Sequence, residues 1–556
     1  MLPSTMMDVP LTIPMILERA VSLYPDQEIV SVIATGVHPE TKAPIPGVHR
    51  ITNRQMHPRI MQLCHALEAA GVKPGDRVAT FALNTWRHHE LYYAVPGIGA
   101  VCHMINVRLP LEQIAYILNH ADDRIVFIEN VFAGMIPLIR QHAPKVERIV
   151  VLGPVPGGLP PGVDDYEQFI APHPTTYAWP ALDERQASGM CYTSGTTGEP
   201  KGVLYSHRAI VLHSLASMAA DGVGMRGRDV VMPIVPMFHV NAWGIPYAAP
   251  LCGAKLVYMS VFTDGPTLAR FLREEGVTLC AGVPTIFMGL LQELDRAQAA
   301  GTPHDLSRLR QILIGGSATP RAMAQAYAER HGIHVTSAWG MTETTPIGTV
   351  NLTRPDDFAD APGRRYDAQV KAGAMAPLVQ MRIVDDEGRE LPWDGTTSGR
   401  LLCRGPWITA RYYRNDAATA ATQHDGWFDT GDIATIDAHG VMAIQDRAKD
   451  LIKSGGEWIS SVDLENELMG HPAIAEAAVI AVPHPKWDER PLGVLVLRDG
   501  ASVTKEELDA FLLSKAVAKW QLPDAYEIVT EIPKTTVGKF LKRALREKFA
   551  GYVLPV

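Results

Sequence analysis

The sequence is poor in cysteine and has no excess of positive charge. Its six cysteines are scattered without a C-x-x-C pair, which argues against a zinc site or a disulfide framework and favours reduced thiols in the cytoplasm. Lys and Arg number 51 against 60 Asp and Glu, giving a net charge of −9. Binding to a nucleic-acid backbone needs clustered positive charge. Nucleic acid is therefore not an expected partner.

Long apolar runs are also missing. The apolar segment 92–105 is broken by Pro96 and His103 and is too short for a transmembrane span. The first residues lack a basic stretch followed by an apolar one, so a secretory signal is not expected. A chain of 556 residues exceeds the size of one hydrophobic core, and two or more domains are expected.

Strand-like and helix-like segments alternate through most of the chain. Buried strands are predicted at 77–83, 124–129, 148–153 and 311–316, and amphipathic helices at 57–71 and 265–276. Such alternation predicts an α/β fold with layered, mostly parallel sheets. The turn-rich segment 390–415 adds a predicted β-subdomain.

The sequence pattern changes after Asp446, from short strands and turns to helices. Two helices are predicted to begin at Ser460 and Thr504, because each is followed three residues later by an acidic residue in a capping-box pattern. The predicted boundary lies at Asp446–Lys449. It separates a large N-terminal domain, 1–446, from a small α+β C-terminal domain, 447–556.

The stretch YTSGTTGEPKG, residues 192–202, has the composition of a phosphate-binding loop. It is not the common P-loop, because Glu199 and Pro200 separate the second glycine from the lysine. We expect it to join a strand to a helix that begins at 206, although a mobile linker has a similar composition. The candidate phosphate contacts are Thr193, Ser194, Gly195, Thr196, Thr197, Gly198 and Lys201.

Four further motifs could complete a nucleotide site. Glu343 follows a predicted strand and could hold Mg²⁺, a cation that prefers carboxylate and phosphate oxygens. Two glycines in 312–320 would let the backbone approach a flat ligand, and Asp432, at a predicted turn, could accept ribose hydroxyls. Lys539 follows a glycine in a polar loop. Each residue taken alone also has an ordinary structural explanation.

In this order the motifs resemble the adenylate-forming superfamily of acyl-CoA synthetases, firefly luciferases and peptide-synthetase adenylation domains. Segments 235–247, 446–461 and 484–491 are most similar to bacterial medium-chain fatty acid–CoA ligases. The resemblance implies ATP, Mg²⁺ and coenzyme A as cofactors and a reaction in two steps. A carboxylate and ATP would give acyl-AMP and pyrophosphate, and coenzyme A would then displace AMP.

The resemblance also implies roles for individual residues. Thr193 and Glu343 would hold Mg²⁺, and Lys539, on a mobile C-terminal domain, would contact the carboxylate and the α-phosphate during the first step. The implied nucleotide contacts are Gly316, Ser317, Ser337, Ala338, Trp339, Gly340, Thr342, Asp432 and Arg447. Lys449 would be the hinge, and rotation about it would bring 453–458 to the acyl-AMP for the second step, where Gly455 and Gly456 would let the pantetheine of coenzyme A pass close to the backbone. Lys453 and Trp458 match positions that contact nucleotide in the family, and an ordinary hairpin turn is the alternative for the two glycines.

The acyl pocket implied by the resemblance is neutral. His239 would lie beside it in a catalytic position, although a buried structural histidine is the alternative. The implied wall residues are Val240, Asn241, Trp243, Gly282, Val283, Pro284 and Gly348. With no acidic residue among them, an amino-acid substrate is not expected. Apolar pockets discriminate weakly between chain lengths, so long-chain, short-chain, aryl and methylthio-alkanoate acids stay open.

Two other classes of protein were weighed. A module serving a carrier protein is disfavoured, because no carrier domain follows the last motif. A non-catalytic nucleotide-binding protein would be expected to lack Lys539 or Glu343, and the sequence has both. By analogy with the long-chain relatives, a homodimer is expected.

Overall fold

The structure is a computed structural model. It describes residues 2, 4–38, 40–41, 43–193, 199–353, 362–455, 457–515, 517–534 and 540–554. Within these ranges, no helix combines the length and the apolar character needed to cross a membrane. The described residues form three β-sheets, with helices packed on their faces.

The first sheet lies in the N-terminal half of the chain. Its strands are β3 (Arg77–Phe81), β4 (Val101–Met104), β5 (Ile125–Glu129), β6 (Arg148–Leu152), β7 (Asp164–Asp165), β8 (Ala187–Tyr192) and β9 (Gly202–Ser206). Their order is β7-β6-β5-β3-β4-β8-β9, and all pairs are parallel except β8 with β9. The central strands are apolar almost throughout because both faces are covered.

The second sheet joins a mostly parallel half to an antiparallel half. The first half contains β1 (Glu28–Val37), β2 (Pro44–Thr52), β10 (Val230–Pro233), β11 (Lys255–Tyr258), β12 (Leu279–Gly282), β13 (Gln311–Ile314) and β14 (Val335–Gly340). The second half contains β15 (Ile347–Val350), β16 (Gly373–Met375), β17 (Gln380–Val384), β18 (Gly399–Arg404), β19 (Gln423–His424), β20 (Trp427–Ile436) and β21 (Val441–Arg447). The order is β17-β18-β20-β21-β16-β15-β14-β13-β12-β10-β11-β1-β2, with β19 beside β20.

The third sheet belongs to the small C-terminal domain. It contains β22 (Ile452–Ser454), β23 (Glu457–Ile459), β24 (Ile474–His484), β25 (Asp488–Leu497) and β26 (Ala525–Ile528). The strand order is β23-β22-β25-β24, and β26 pairs in parallel with β25. Two apolar clusters built entirely from residues beyond 451 lie on its faces. Residues 448–451 connect the second sheet to the third.

The helices of the described residues cover the sheets. They are α1 (Ile13–Leu23), α2 (Asn53–Ala69), α3 (Trp86–Gly97), α4 (Leu111–Ala121), α5 (Ile136–His142), α6 (Tyr166–Ile170), α7 (His207–Met218), α8 (Val240–Trp243), α9 (Ile245–Cys252), α10 (Gly265–Glu274), α11 (Pro284–Ala299), α12 (Arg321–His331), α13 (Pro362–Gln369), α14 (Asp416–Thr422), α15 (Ser461–Met469), α16 (Lys505–Ser514) and α17 (Lys542–Lys548). Short 3-10 turns occur at Asn130–Met135, Thr342–Thr344 and Lys519–Gln521.

The structure corrects three local predictions. Helix α2 begins at Asn53 rather than at 57, because Thr52 and Gln55 form a capping box that starts the helix earlier. Strand β9 stands between the glycine-rich stretch and α7, so the described residues that follow the stretch form a strand and not a helix N-terminus. Asp432 lies inside strand β20, where it is paired with Arg447 of β21, and not at a turn.

Candidate active site

A cavity of about 1440 Å³ opens at the carboxyl ends of the parallel strands of the second sheet. Residues just beyond β10, β12, β13 and β14 line it, and open α/β sheets bind their ligands at this edge. Antiparallel strands β20 and β21 add a second wall. The C-terminal domain contributes a third wall through residues such as Lys534, Phe540 and Lys542.

A buried carboxylate stands at the polar end of the cavity. Glu343 is 5 % exposed, and its Oε1 accepts a hydrogen bond of 2.7 Å from the Tyr412 hydroxyl. Burial raises the pKa of Glu343, whereas the Tyr412 hydrogen bond and the positive charges of Arg447 and Lys201 act to lower it. Tyr412 lies 69 residues from its partner and in no recognisable motif, so its role is not evident from the sequence.

Thr193 and Lys201 face the same cavity from the end of the β8–β9 hairpin. The Thr193 backbone N–H donates to the Lys201 carbonyl at 2.9 Å, and the Lys201 N–H donates to Thr193 Oγ1 at 3.2 Å. The Lys201 ammonium lies 5.0 Å from the centre of the Tyr412 ring. Lys201 and Glu343 therefore both contact Tyr412, so that a cation and a carboxylate line the same part of the cavity.

An aromatic residue and an ion pair form the opposite wall. The Trp339 indole N–H donates to Asp432 Oδ2 at 3.0 Å, and Arg447 Nε lies 2.8 Å from Asp432 Oδ1. Asp432 is 2 % exposed, so both carboxylate oxygens are held in place by these donors. A flat ring beside a fixed carboxylate could bind a nucleoside by stacking and by its ribose hydroxyls.

Two glycines bring the backbone close to this wall. Gly316 has a φ of +85°, a conformation that favours glycine. A Cβ at Gly315 would lie 3.1 Å from the Trp243 ring and 3.2 Å from the Ala338 carbonyl oxygen. Trp243 and the backbone of β14 therefore leave little room for a side chain at position 315.

Comparison with known proteins gives the family. The family model described as "AMP-binding enzyme" matches residues 19–413, and its partner "AMP-binding enzyme C-terminal domain" matches 463–539. The chain belongs to the AMP-binding enzyme family. This is the adenylate-forming superfamily that the motifs predicted, and the recognition is confirmed.

The similar proteins include fatty acid–CoA ligases. A long-chain-fatty-acid–CoA ligase of Thermus thermophilus is 47% identical over 551 residues, covering 99% of this chain and 98% of the relative. A medium-chain-fatty-acid–CoA ligase of Ectopseudomonas oleovorans is 43% identical over 547 residues, covering 98% and 97%. The crystal structure of an anthranilate CoA ligase with anthranoyl-AMP has a TM-score of 0.85 at 26% identity and covers 98% of this chain and 99% of its own.

Most of the residues expected from the family motifs line the cavity. They are Thr193, Lys201, His239, Val240, Trp243, Pro284, Gly316, Ser317, Ser337, Ala338, Trp339, Gly340, Thr342, Glu343, Asp432, Arg447 and Lys449. These residues come from segments far apart in the chain, and the fold brings them to one edge of the second sheet.

Four expected pocket residues do not line the cavity. Asn241 is buried away from it, and Val283 is the N-cap of α11. Gly282 packs against the Phe287 ring and Gly348 against the Trp339 ring, so both lie one layer behind the wall. That these four contact the substrate stays a prediction, since the structure shows only that they are not part of the cavity lining.

The backbone of 240–244 decides which of these side chains line the cavity. Residues Val240, Asn241, Ala242, Trp243 and Gly244 have φ values of 47°, 55°, 46°, 58° and 72°, which is a left-handed turn. Left-handed backbone is costly outside glycine and changes which side chains face the same way. Val240 and Trp243 consequently face the cavity, whereas Asn241 does not.

The apolar branch of the cavity is formed by residues that the sequence analysis did not single out. Ser217, Val223, Met225 and Ile245 are each less than 5 % exposed and line the cavity from α7, the following loop and α9. The Met225 N–H donates to the Ser217 carbonyl at 3.3 Å, which fixes the loop on the helix. None of these side chains carries a charge.

The residues expected for the second step lie elsewhere. Lys453 and Trp458 pair across the β22–β23 hairpin, with the Lys453 ammonium 5.0 Å from the Trp458 ring, and neither lines the cavity. A Cβ at Gly455 would lie 2.7 Å from the Trp487 ring. Ser194, Gly195, Thr196, Thr197, Gly198, Gly456 and Lys539 lie outside the described residues.

Proposed function

We propose that the protein is an ATP-dependent fatty acid–CoA ligase that prefers medium-chain acids. In the first step a carboxylate oxygen attacks the α-phosphorus of ATP, and the bond to the β-phosphate breaks to give acyl-AMP and pyrophosphate. In the second step the coenzyme A thiol attacks the acyl carbon, AMP leaves, and the thiol proton is released.

The observation that carries the proposal is the mixed lining of the cavity. The carboxylate of Glu343, the ammonium of Lys201 and the Asp432–Arg447 pair line it together with the neutral residues Ser217, Val223, Met225 and Ile245. A nucleotide would bind at the charged residues and an acyl chain at the neutral ones. An acid and ATP bound in this way would share one cavity, and positioning of this kind accounts for much of enzymatic rate acceleration.

The nucleotide contacts follow from the geometry of the walls. Trp339 and the glycine-rich backbone at Gly316 would enclose the adenine, and Asp432 would accept the ribose hydroxyls. Arg447 holds Asp432 in the orientation this needs. Lys201 would bind a phosphate oxygen as a point charge.

The oxygen donors of the site fit Mg²⁺. The Glu343 carboxylate and the Thr193 hydroxyl line the same cavity, and Mg²⁺ commonly uses one or two protein oxygens together with substrate phosphates. Glu343 and Thr193 would hold the ion. When bound, it would neutralise charge on the phosphate oxygens.

The C-terminal domain is the proposed mobile part of the enzyme. We infer that 447–556 turns about Lys449 between the two steps, as the family motifs imply. Lys539 would act in the first step. The β22–β23 hairpin, with Lys453, Gly455, Gly456 and Trp458, would act in the second.

The neutral part of the cavity lining supports an alkyl acid. It offers no partner for an ammonium group, because Ser217, Val223, Met225 and Ile245 are neutral. The same lining would accept a longer, shorter, aryl or methylthio-substituted acid, since one methylene changes binding by about 1–3 kcal/mol. The alternative function is therefore the same chemistry on one of these acids.

A cytoplasmic homodimer is the proposed form of the protein. All six thiols are buried and unpaired, as expected in a reducing compartment. Strand β2 is at the end of the second sheet and exposes Ile45 and Val48, an edge that a second copy could cover. Equilibrium sedimentation measures this directly, and a monomer at micromolar concentration would rule the dimer out.

Pyrophosphate exchange tests the function. Acids from acetate to palmitate would be offered with Mg·ATP and labelled pyrophosphate, and we expect the highest exchange with medium-chain acids. Lys539→Ala should abolish exchange yet leave thioester formation from supplied acyl-AMP. If no acid supported exchange by the unaltered protein, the proposed function would be wrong.

A further inference from the structure

A buried cluster of charges links the C-terminal domain to the strand that enters it. Lys542, the first residue of α17, has a side chain only 10% exposed. Its ammonium lies 2.7 Å from Glu465 Oε1 of α15 and also donates to the Ser461 hydroxyl. Ser461 in turn donates to Asp446 Oδ2, from its backbone N–H at 2.8 Å and from its hydroxyl. Asp446 is 1% exposed and belongs to β21 of the second sheet.

This chain of contacts crosses the proposed domain boundary. Asp446 is on the N-terminal side, and Ser461, Glu465 and Lys542 are on the C-terminal side. A second bond crosses beside it, from the Ser460 hydroxyl to the Gln445 carbonyl oxygen. The start of α15 is thus attached to β21.

Lys542 directly follows the residues of the domain that face the cavity. Phe540 pairs with Lys534 in an isolated antiparallel bridge, and the Leu541 N–H donates to the Pro533 carbonyl at 2.7 Å. Lys534 forms an ion pair with Glu476 of β24. Lys534, Phe540, Leu541 and Lys542 all line the cavity. On each side of 535–539, a lysine therefore forms an ion pair with a glutamate, Lys534 with Glu476 and Lys542 with Glu465.

Stability alone does not account for such a cluster. A buried ion pair is often no more stabilising than apolar side chains of the same volume, because desolvation offsets the attraction. Buried polar groups can instead select one arrangement among several. Here the arrangement selected is the one in which Phe540 and Leu541 border the cavity.

We propose that Lys542 is a positioning residue for the adenylation step. Through Ser461 it joins Glu465 of the C-terminal domain to Asp446 of the N-terminal domain and so sets the orientation of the cavity-facing wall. The second step does not need this orientation. The inference rests on the proposed two-step function.

The test separates the two half-reactions in the full-length protein. Lys542→Met should lower pyrophosphate exchange at least about tenfold and leave thioester formation from supplied acyl-AMP unchanged. Lys542→Arg, which keeps the charge, should retain most of the pyrophosphate exchange of the unaltered protein. Asp446→Asn weakens the other end of this series of hydrogen bonds and should also lower pyrophosphate exchange. Lys548→Met, at the exposed end of the same helix, is the matched control and should change neither step.

A second readout keeps the test independent of the substrate. Hydrogen exchange at Ser460–Glu465 should become faster in Lys542→Met and Asp446→Asn and not in Lys548→Met. Equal loss of both half-reactions in Lys542→Met would overturn the positioning role. So would an unchanged rate of pyrophosphate exchange together with unchanged protection of Ser460–Glu465 from hydrogen exchange. If Lys542→Met failed to fold, Asp446→Asn would decide. A failure of the proposed function differs, because the unaltered protein would then show no pyrophosphate exchange with any acid.

Discussion

At the scale of single residues, the site depends on how a buried carboxylate is held. Glu343 is surrounded by protein, and Tyr412 donates to its Oε1. A buried charged acceptor that loses its donor costs more than an exposed one, because water cannot replace the bond. Tyr412 is therefore part of the candidate active site, although it carries no charge and belongs to no recognisable sequence motif.

Tyr412→Phe tests this dependence. The substitution removes the hydroxyl and keeps the ring beside Lys201, so the fold should be retained. We expect adenylation to fall about tenfold, the effect of one hydrogen bond to a charged group. Pyrophosphate exchange at saturating acid measures it, with Tyr413→Phe as the neighbouring control. Equal rates for the two variants would show that the Tyr412 hydroxyl has no role.

At the scale of elements, the acyl branch is shaped by the loop after α7. Val223 and Met225 of this loop line the cavity together with Ile245 of α9. The loop is fixed to α7 by the bond from Met225 to Ser217. Their side-chain volume therefore limits the room for an alkyl chain.

Met225→Ala should shift the preference toward longer acids. Removing the side chain lengthens the apolar branch, and each additional buried methylene contributes about 0.8 kcal/mol. We expect the best substrate to become about two carbons longer, with kcat/KM for the original acid reduced. A chain-length series measures the shift, and Met225→Leu, of similar volume, should leave the profile in place. An unchanged profile for Met225→Ala would place the end of the acyl chain elsewhere.

Elements with a strong local pattern were predictable from the sequence. Strands β5, β6 and β13 are apolar runs, and Thr504 with Glu507 forms the expected capping box. Strand β9 was missed, because five residues directly before a helix give little periodicity. The left-handed turn at 240–244 was missed as well, since only Gly244 in it favours such backbone. Tyr412 could not be found locally, because its partner comes from another part of the fold.

At the scale of the whole molecule, the cavity draws on both domains. Its walls include Glu343 and Asp432 of the large domain and Phe540 and Lys542 of the small one. A ligand that fills the cavity therefore joins two units that are otherwise attached through the connection near Lys449 and the contacts of Ser460 and Ser461 with β21. Binding should stabilise them together.

A stable acyl-adenylate analogue, an acylsulfamoyl adenosine, tests this coupling. At a thousandfold excess over its Kd it should add about 4 kcal/mol to the free energy of unfolding. It should also slow hydrogen exchange at 445–450 and at α17 together with the large domain. Adenosine alone is the control, because it lacks the acyl and phosphate-like parts. Protection confined to the large domain would mean that the small domain takes no part in binding the adenylate.

The burial of the cysteines has a practical consequence for an enzyme that handles a thiol. Burial raises the pKa of all six thiols, to about 11 for Cys191 and Cys252 and further for the others. Almost none is thiolate at neutral pH, and the thiolate is the reactive form. The native protein should therefore neither form mixed disulfides with its cosubstrate nor consume a thiol reagent. Free coenzyme A in samples withdrawn during the reaction could then be measured with a coloured thiol reagent, with no background from the catalyst itself.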